Sequence, residues 1–176
     1  RHEVGLPASI SRLLSIGVQF TLWERLMTYW LPWMRETQPD LAIRTDVGPS
    51  DWLMRQLVDG LLDMIITYTP QNRPGLVVDR LMEEPLILAS TTLGSEGPGD
   101  ASYFFVDWGP EFGQEHAHHF PERPGTSVLS TTYGPLALQY IRENGGSAYL
   151  PIRLVRPYIL RGELFHLDRF PTFTRP

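Results

Sequence analysis

Residue types that bind metal ions are concentrated in one short segment of the chain. The segment contains Glu115, His116, His118 and His119. His116 and His119 stand three residues apart and would share a helix face, but no third ligand with matching geometry is evident. A solvated polar helix face is therefore the favoured interpretation, and no metal site is predicted.

Asp107 is the best candidate for a catalytic carboxylate, because it stands next to Trp108 at a predicted strand end. No partner acid, base or nucleophile motif accompanies it, so a hydrogen bond to the following loop is favoured over catalysis. The chain has no Lys and no Cys, which excludes Schiff-base, P-loop and thiol chemistry. The sequence thus predicts neither an enzyme nor a cofactor.

The charge balance argues against direct binding of nucleic acid by this chain. Fifteen Arg against 20 Asp plus Glu give a formal charge of −5, so no bulk electrostatic attraction to phosphates is expected. No apolar run approaches the roughly 20 residues of a membrane span, and residues 1–3 lack signal-peptide character. We therefore expect a cytoplasmic protein with no membrane contact.

The elements that would position these residues begin with a predicted β-α-β-α-β unit. A strand over residues 13–18 leads to a helix that opens with a capping box, Thr21 and Glu24, and ends near Gln38. A second strand over 41–47 precedes a helix with Ser50 as N-cap that ends near Gly60. The nearly continuous apolar run 62–68 is typical of a strand that is covered on both faces.

The same alternation of strands and helices is predicted again in the second half of the chain. Residues 76–80 and 86–89 are predicted strands on either side of the acidic turn 83–85, and the Gly-rich segment 92–100 marks a hinge. The elements predicted after it are strands at 103–108, 127–130, 148–150 and 164–167, with helices at 111–120 and 132–144. The sequence therefore predicts an α/β protein with two Rossmann-like lobes: residues 1–12 as a linker remnant, 13–90 as lobe I and 91–176 as lobe II.

Several strand-to-helix loops could bind a ligand, because free N–H groups at a helix N-terminus attract anions. Ligands of open α/β sheets bind beyond the carboxyl ends of strands. We predict a cleft between the lobes that binds a carboxylate-bearing or polar aromatic molecule. Its predicted polar contacts are the side-chain hydroxyls of Thr21, Ser50, Thr131 and Thr132, and its predicted apolar walls are the rings of Tyr68 and Trp108. The alternative is that Thr21 and Ser50 only cap their helices.

The first helix is apolar around most of its circumference, although a helix that covers one side of a sheet needs only a stripe. A second face must therefore be buried, and a partner subunit is favoured over an aromatic ligand. Met27 and Trp30 are the predicted outer residues, with Trp23 or Met34 if the helix is rotated by one residue. We predict homodimerisation through this helix, antiparallel to helix 132–144 of a second copy.

Several stretches of the chain resemble the effector-binding domain of LysR-type transcriptional regulators. They are Leu14-Ser15-Ile16-Gly17, Val58-Asp59-Gly60-Leu61-Leu62-Asp63-Met64-Ile65-Ile66, Glu83-Glu84-Pro85-Leu86-Ile87-Leu88, Val106-Asp107-Trp108-Gly109-Pro110-Glu111-Phe112 and Gly145-Gly146-Ser147-Ala148-Tyr149-Leu150-Pro151. The resemblance covers residues 13 to about 170, and the element G-x-L-D-x-x-I is its most specific part.

The resemblance implies the fold of type 2 periplasmic binding proteins, with a small-molecule inducer between the lobes and dimers in solution. It also implies a winged helix-turn-helix in the intact regulator, through which alone DNA would be bound. The strand and helix with which the family returns to lobe I are expected to be absent here. Two alternatives remain open: a solute-binding protein of a transporter, and a two-lobed enzyme that acts on a small acid.

Overall fold

The computed structural model describes residues 11–121 and 128–175, without the side chains of residues 24–26. The chain divides into two compact units, Arg1–Asp79 and Arg80–Pro176. This division falls before the strand of residues 84–90, whereas the sequence analysis expects it after that strand. The predicted hinge segment 92–100 accordingly lies inside the second unit.

The first unit has the predicted β-α-β-α-β order. Its sheet is parallel with strand order β2-β1-β3, so β1 is central. The elements are β1 (Arg12–Gln19), α1 (Trp23–Thr37), β2 (Leu41–Gly48), α2 (Ser50–Val58) and β3 (Met64–Ile66).

Gly17 explains how α2 approaches the middle of β1. A Cβ atom at Gly17 would lie 2.6 Å from Cδ2 of Leu53 and 2.7 Å from Cδ1 of Leu62. Only a residue without a side chain therefore permits these two buried leucines to cover the strand. Ile16 and Val18, the neighbours of Gly17, are buried in a cluster with Met27 on α1.

Both predicted helix caps are wrong by one residue. The N-cap of α1 is Leu22 and that of α2 is Pro49, and neither helix has a side-chain cap hydrogen bond. Thr21 therefore belongs to the turn before α1, and Ser50 is the first residue of α2. Neither hydroxyl therefore makes the side-chain hydrogen bond of an N-cap residue.

The outer face of α1 differs from the prediction. Met27 and Met34 are buried, and Trp30 packs partly buried against the core of the first unit. The exposed aromatic residues of α1 are Trp23, Tyr29 and Trp33, which are 44%, 73% and 56% exposed, so that of the two alternative outer residues Trp23 is exposed and Met34 is not. Spacing alone showed that two faces were apolar but not which one the sheet covers.

The predicted third strand is shorter and less buried than its apolar sequence suggests. β3 contains three residues at the edge of the sheet, and Met64 is exposed. Asp63, the polar residue in this run, accepts a hydrogen bond from the backbone N–H of Ser15 at 2.7 Å and donates its own N–H to the Ser15 carbonyl at 2.8 Å. Asp63 thus joins β3 to the central strand.

The segment before the second unit corrects two further predictions. Residues 76–80 form no regular strand, and Val77 and Val78 are exposed. The predicted acidic turn at 83–85 instead overlaps the start of β4 (Glu84–Ser90), where Glu84 forms a buried ion pair with Arg153. The paired charge explains why a carboxylate is tolerated there.

The second unit contains two groups of paired strands. After β4 and a 3₁₀ turn at Gly97–Gly99, its elements are β5 (Phe104–Val106), α3 (Pro110–His119), β6 (Leu129–Thr131), α4 (Gly134–Asn144), β7 (Ser147–Pro151), α5 (Ile152–Leu160), β8 (Phe165–His166) and β9 (Phe173–Arg175). β4 is antiparallel to β7, β8 and β9, and β5 is parallel to β6. The strands predicted at 86–89, 103–108, 127–130, 148–150 and 164–167 and the helices predicted at 111–120 and 132–144 each overlap an observed element, with bounds that differ by one or two residues. Residue 127 lies outside the described residues.

The sequence analysis missed two elements of the second unit, α5 and β9. α5 contains Pro157, a residue that usually interrupts a helix. β9 is three residues long and pairs with the start of β4, and its Phe173 lies in the main hydrophobic core. No helix among the described residues is long and apolar enough to cross a membrane.

Candidate functional site

Four polar side chains form a hydrogen-bonded cluster, which we call the hydroxyl cluster, at the carboxyl edge of the first unit's sheet. Gln19 ends β1, Ser50 begins α2, and Thr67 and Thr69 follow β3. Ser50 Oγ lies 2.7 Å from Thr67 Oγ1 and 3.0 Å from Thr69 Oγ1. Thr67 Oγ1 donates to Gln19 Oε1 at 2.8 Å. The topology explains this meeting, since parallel strands end at the same edge.

The backbone fixes the orientation of the Gln19 carboxamide. The N–H of Tyr68 donates to Gln19 Oε1 at 3.0 Å, and a backbone N–H cannot accept a hydrogen bond. The atom that faces Tyr68 must therefore be the amide oxygen, and the Nε2 amino group occupies the other side. Among the described residues, no hydrogen bond uses Gln19 Nε2 as a donor.

The direction of the remaining hydrogen bonds follows from this orientation. Thr67 has one hydroxyl proton and donates it to Gln19, so the proton between Ser50 and Thr67 comes from Ser50, whose Oγ also lies 3.2 Å from the Thr69 carbonyl oxygen as a second acceptor. Thr69 in turn donates to Ser50. The proton of each hydroxyl is thereby committed inside the hydroxyl cluster.

Sequence reasoning identified Ser50 but missed Gln19, Thr67 and Thr69. A signal was present, because all three stand at or just after the carboxyl end of a predicted strand, where a ligand is expected. Thr67 was hidden in the apolar run 62–68, which was interpreted as one buried strand. The structure ends that strand at Ile66 and exposes Thr69.

The other two predicted site residues of the first unit, Thr21 and Tyr68, are close in sequence to members of the hydroxyl cluster, but their side chains lie in different environments. Thr21 is partly buried in the turn between β1 and α1. Tyr68 is 8% exposed and belongs to the core cluster with Leu22 and Met27. Its backbone contributes to the hydroxyl cluster, whereas its ring supports the core.

In the second unit, the predicted residues lie at the carboxyl ends of β5 and β6. Thr131 Oγ1 accepts a hydrogen bond from the N–H of Tyr133 at 3.0 Å, and Thr132 is exposed before α4. Trp108 is 4% exposed, and its Nε1 donates to the Tyr149 carbonyl at 2.8 Å. Trp108 is therefore a core residue of the second unit.

Asp107 has the local hydrogen bond that the sequence analysis favours. Its Oδ1 accepts from the N–H of Gly109 at 2.9 Å, and its own N–H donates to the Thr131 carbonyl at 2.8 Å. An Asp that accepts from the residue two positions on is a common turn former. Asp107 thus shapes the loop that leads into α3.

The three histidines of α3 point to different environments. His116 is buried, and its Nε2 lies 3.0 Å from the Tyr103 hydroxyl. His118 and His119 are exposed, and His119 Nδ1 lies 2.9 Å from the Glu115 carbonyl. In the described part of the chain, no group of three or more His, Cys, Asp or Glu residues is arranged to bind a metal ion.

Comparison with known proteins identifies similar sequences. The family model of the LysR substrate binding domain matches residues 7–92. The HTH-type transcriptional regulator HdfR of Yersinia pestis (strain Pestoides F) is 28% identical over 156 residues, which cover 82% of this chain and 53% of that protein. The chain therefore spans about half the length of the curated relatives it matches.

Solved structures of regulatory domains have the same fold. The apo-form regulatory domain of HypT from Salmonella typhimurium matches with a TM-score of 0.69 at 18% identity, over 93% of this chain and 82% of that one. The cofactor-binding domain of the Cbl transcriptional regulator matches with a TM-score of 0.70 at 16% identity, over 97% and 82%. These matches confirm the predicted fold class, an α/β protein with two lobes like those of periplasmic binding proteins.

Proposed function

Because this chain belongs to the family of LysR substrate-binding domains, we propose that it binds a small-molecule effector at the hydroxyl cluster. This proposal rests on the hydrogen-bonded cluster at the carboxyl edge of the parallel sheet, which is formed by Gln19, Ser50, Thr67 and Thr69. Neutral hydroxyl and amide groups fix the orientation of small polar ligands in such sites. The proposed effector is a carboxylate or a polar aromatic molecule.

We assign ligand contacts to predicted residues according to their exposure. In the first unit, Ser50 contacts the effector directly and Thr21 lines the adjacent turn. Tyr68 acts through its backbone N–H, which orients Gln19. In the second unit, Thr131 and Thr132 contact a small molecule, while the buried Trp108 supports the loop that carries Asp107.

Binding without chemical conversion is the activity we propose. The matched relatives are named as transcriptional regulators, and the Asp107 carboxylate serves its own loop. Sustained turnover of a bound metabolite, abolished in Asp107→Asn, would show instead that the domain is an enzyme.

We further propose that the intact protein binds DNA through a helix-turn-helix segment outside this chain, and that it acts in the cytoplasm. The support is the description of the relatives as HTH-type regulators, of which this chain covers about half. Regulated transcription would then belong to the intact protein, and effector binding to this domain.

Self-association is proposed to use the exposed aromatic face of α1. Tyr29 and Trp33 are one helical turn apart on that face, and α4 exposes Leu136 and Tyr140 at the same spacing. Each chain therefore has two apolar helix faces, which a second copy would cover in a two-fold arrangement. This proposal uses Tyr29 and Trp33 in place of the predicted interface residues Met27 and Trp30, because the latter two pack against the core of the first unit.

The experiment that tests effector binding is a search for bound metabolites by native mass spectrometry, followed by NMR titration of the isotope-labelled chain. We expect shifts of the backbone amides of residues 19–21, 50–51 and 67–69. Ser50→Ala removes the hydroxyl that bonds to Thr67 and Thr69 and so loosens the hydroxyl cluster. It should weaken binding about five-fold, as expected for one net hydrogen bond of about 1 kcal/mol.

The matched control is Ser11→Ala. Ser11 is an exposed serine of the same unit whose hydroxyl donates to Asp40. It precedes the first residue of β1 and therefore lies at the opposite end of that strand from Gln19 and the hydroxyl cluster. Its replacement should leave the affinity unchanged. Binding that is equally insensitive to Ser50→Ala, or that maps to other residues, would show that the hydroxyl cluster is not the effector site.

A further inference from the structure

Gln19 differs from its neighbours in the hydroxyl cluster because only its side chain retains donor capacity. The hydroxyl protons of Ser50, Thr67 and Thr69 are donated within the cluster. The carboxamide of Gln19 accepts two hydrogen bonds at Oε1, from Thr67 and from the Tyr68 N–H. Two amide N–H donors on Nε2 are thus available on a side chain that is held in place.

We infer that Gln19 selects the effector by presenting an amide donor, so that the group bound beside it is a hydrogen-bond acceptor such as a carboxylate or carbonyl oxygen. This inference rests on the proposed binding function. A ligand that offered an ammonium group there would place donor against donor. The site would therefore discriminate by hydrogen-bond polarity as well as by shape.

The charges of the surrounding segments make Gln19 the main determinant of this polarity. The described segments 19–23, 48–52 and 66–70 contain no Arg, Lys or His, and the one Asp or Glu among them is Asp51 on α2. No cationic side chain of these segments attracts an acceptor ligand to the hydroxyl cluster. Selection of an acceptor must then come from neutral donors, among which the side chain of Gln19 is the one held by two hydrogen bonds.

The substitution Gln19→Glu keeps an acceptor on the side chain, replaces its donor with a second acceptor and adds a negative charge, so the uncharged variant Gln19→Leu is measured beside it and should also weaken benzoate binding. A carboxylate oxygen accepts from Thr67 and Tyr68 as the amide oxygen does, but the second oxygen no longer donates. Gln19→Leu, in contrast, removes the acceptor as well. Hydrogen exchange of the Tyr68 amide should therefore be slow in the wild type and in Gln19→Glu, and about five-fold faster in Gln19→Leu, as expected for the loss of one net hydrogen bond of about 1 kcal/mol.

Two small aromatic probes of opposite polarity test the selection itself. Benzoate presents only acceptors, and benzylammonium presents only donors. We expect the wild type to bind benzoate and Gln19→Glu to bind it about 10- to 100-fold more weakly, as expected for a lost hydrogen bond to a charged group. Benzylammonium should bind more tightly to Gln19→Glu than to the wild type. Gln114→Glu, on an exposed face of α3, is the control for the added charge and should behave as the wild type.

The outcomes separate this inference from the proposed function. If the wild type binds benzoate and Gln19→Glu binds it equally well, Gln19 does not select the ligand although the site exists. If neither probe perturbs residues 19–21, 50–51 and 67–69 of the wild type, the inference fails together with the proposed site for aromatic ligands. Equal hydrogen exchange of Tyr68 in all three proteins would contradict the assigned orientation of the carboxamide.

Discussion

The hydroxyl of Tyr103 and the Nε2 atom of His116 lie 3.0 Å apart inside the aromatic core of the second unit. The His116 ring also lies within 6.3 Å of the rings of Phe112 and Phe173, measured between centroids. It therefore links β5, α3 and β9. Burial, with a smaller contribution from nearby His119, lowers the pKa of His116 to about 4.

This pKa predicts that acid destabilises the second unit. Folded His116 stays neutral down to about pH 4, whereas an unfolded histidine protonates near pH 6.5. The unfolded state binds more protons in this interval, so the free energy of unfolding decreases as the pH falls from about 6.5 to about 4. We expect a full decrease of about 3 kcal/mol, and urea denaturation at successive pH values would measure it.

Two variants identify His116 as the source of this dependence. His116→Phe retains an aromatic ring among aromatic neighbours but cannot protonate, so most of the decrease should disappear. His118→Gln, at an exposed position of the same helix, should preserve it. A decrease that persists in His116→Phe would assign the acid sensitivity to other groups.

Trp108 leads to a second prediction, because it packs directly on the first residue of α4. A Cβ atom on Gly134 would lie 2.3 Å from Cη2 of Trp108. Gly134→Ala should therefore lower the free energy of unfolding by about 1 to 3 kcal/mol through overpacking.

Gly113→Ala is the matched control, since a Cβ there has no heavy atom within 4 Å outside the backbone of its own helix. It should raise the free energy of unfolding by about 0.5 to 1 kcal/mol, because alanine favours a helix. Circular dichroism during urea denaturation measures both changes. Equal effects of the two substitutions would mean that Trp108 moves away without cost.

The ion pair of Glu84 with Arg153 should contribute more to stability than that of Glu163 with Arg142, beside which Glu163 forms a second exposed pair with Arg161. The Glu84 and Arg153 side chains are 8% and 15% exposed, whereas those of Glu163 and Arg142 are 38% and 36% exposed. Glu84→Gln removes a buried charge that faces Arg153 and should lower the free energy of unfolding by about 3 kcal/mol. Glu163→Gln should have a much smaller effect, because solvent screens that pair. Comparable losses in chemical denaturation would contradict this difference.

Self-association through α1 is tested by light scattering. The double variant Tyr29→Glu, Trp33→Glu should be folded and monomeric, because both residues are exposed in one chain and a charge in a buried interface is unfavourable. Met27→Glu should instead unfold the first unit, since Met27 is buried. Leu160→Glu, at an exposed position on α5, should keep the oligomeric state of the wild type. A double variant that keeps that state would exclude this face.

The sequence sufficed for the fold class and for the order of most of the elements. Apolar runs of strand length alternate with amphipathic helices, and these periods are local properties of the chain. The strand at residues 12–19, the helix at 23–37 and the strand at 41–48 were accordingly predicted to within a few residues. Local pattern did not reveal α5, where Pro157 argues against a helix, or β9, which is too short to show a period.

Only the tertiary structure decided which side chains meet and which face of a helix is buried. Nothing near Gln19 in sequence indicates that Thr67 will donate to it, because that bond spans 48 positions and depends on the parallel pairing of β1 with β3. The face of α1 that contains Met27 is buried because the sheet lies on that side, whereas Tyr29 and Trp33 are equally apolar and remain exposed. Sequence periodicity fixes the angular separation of such residues around a helix, but packing fixes the rotation of the helix on its sheet.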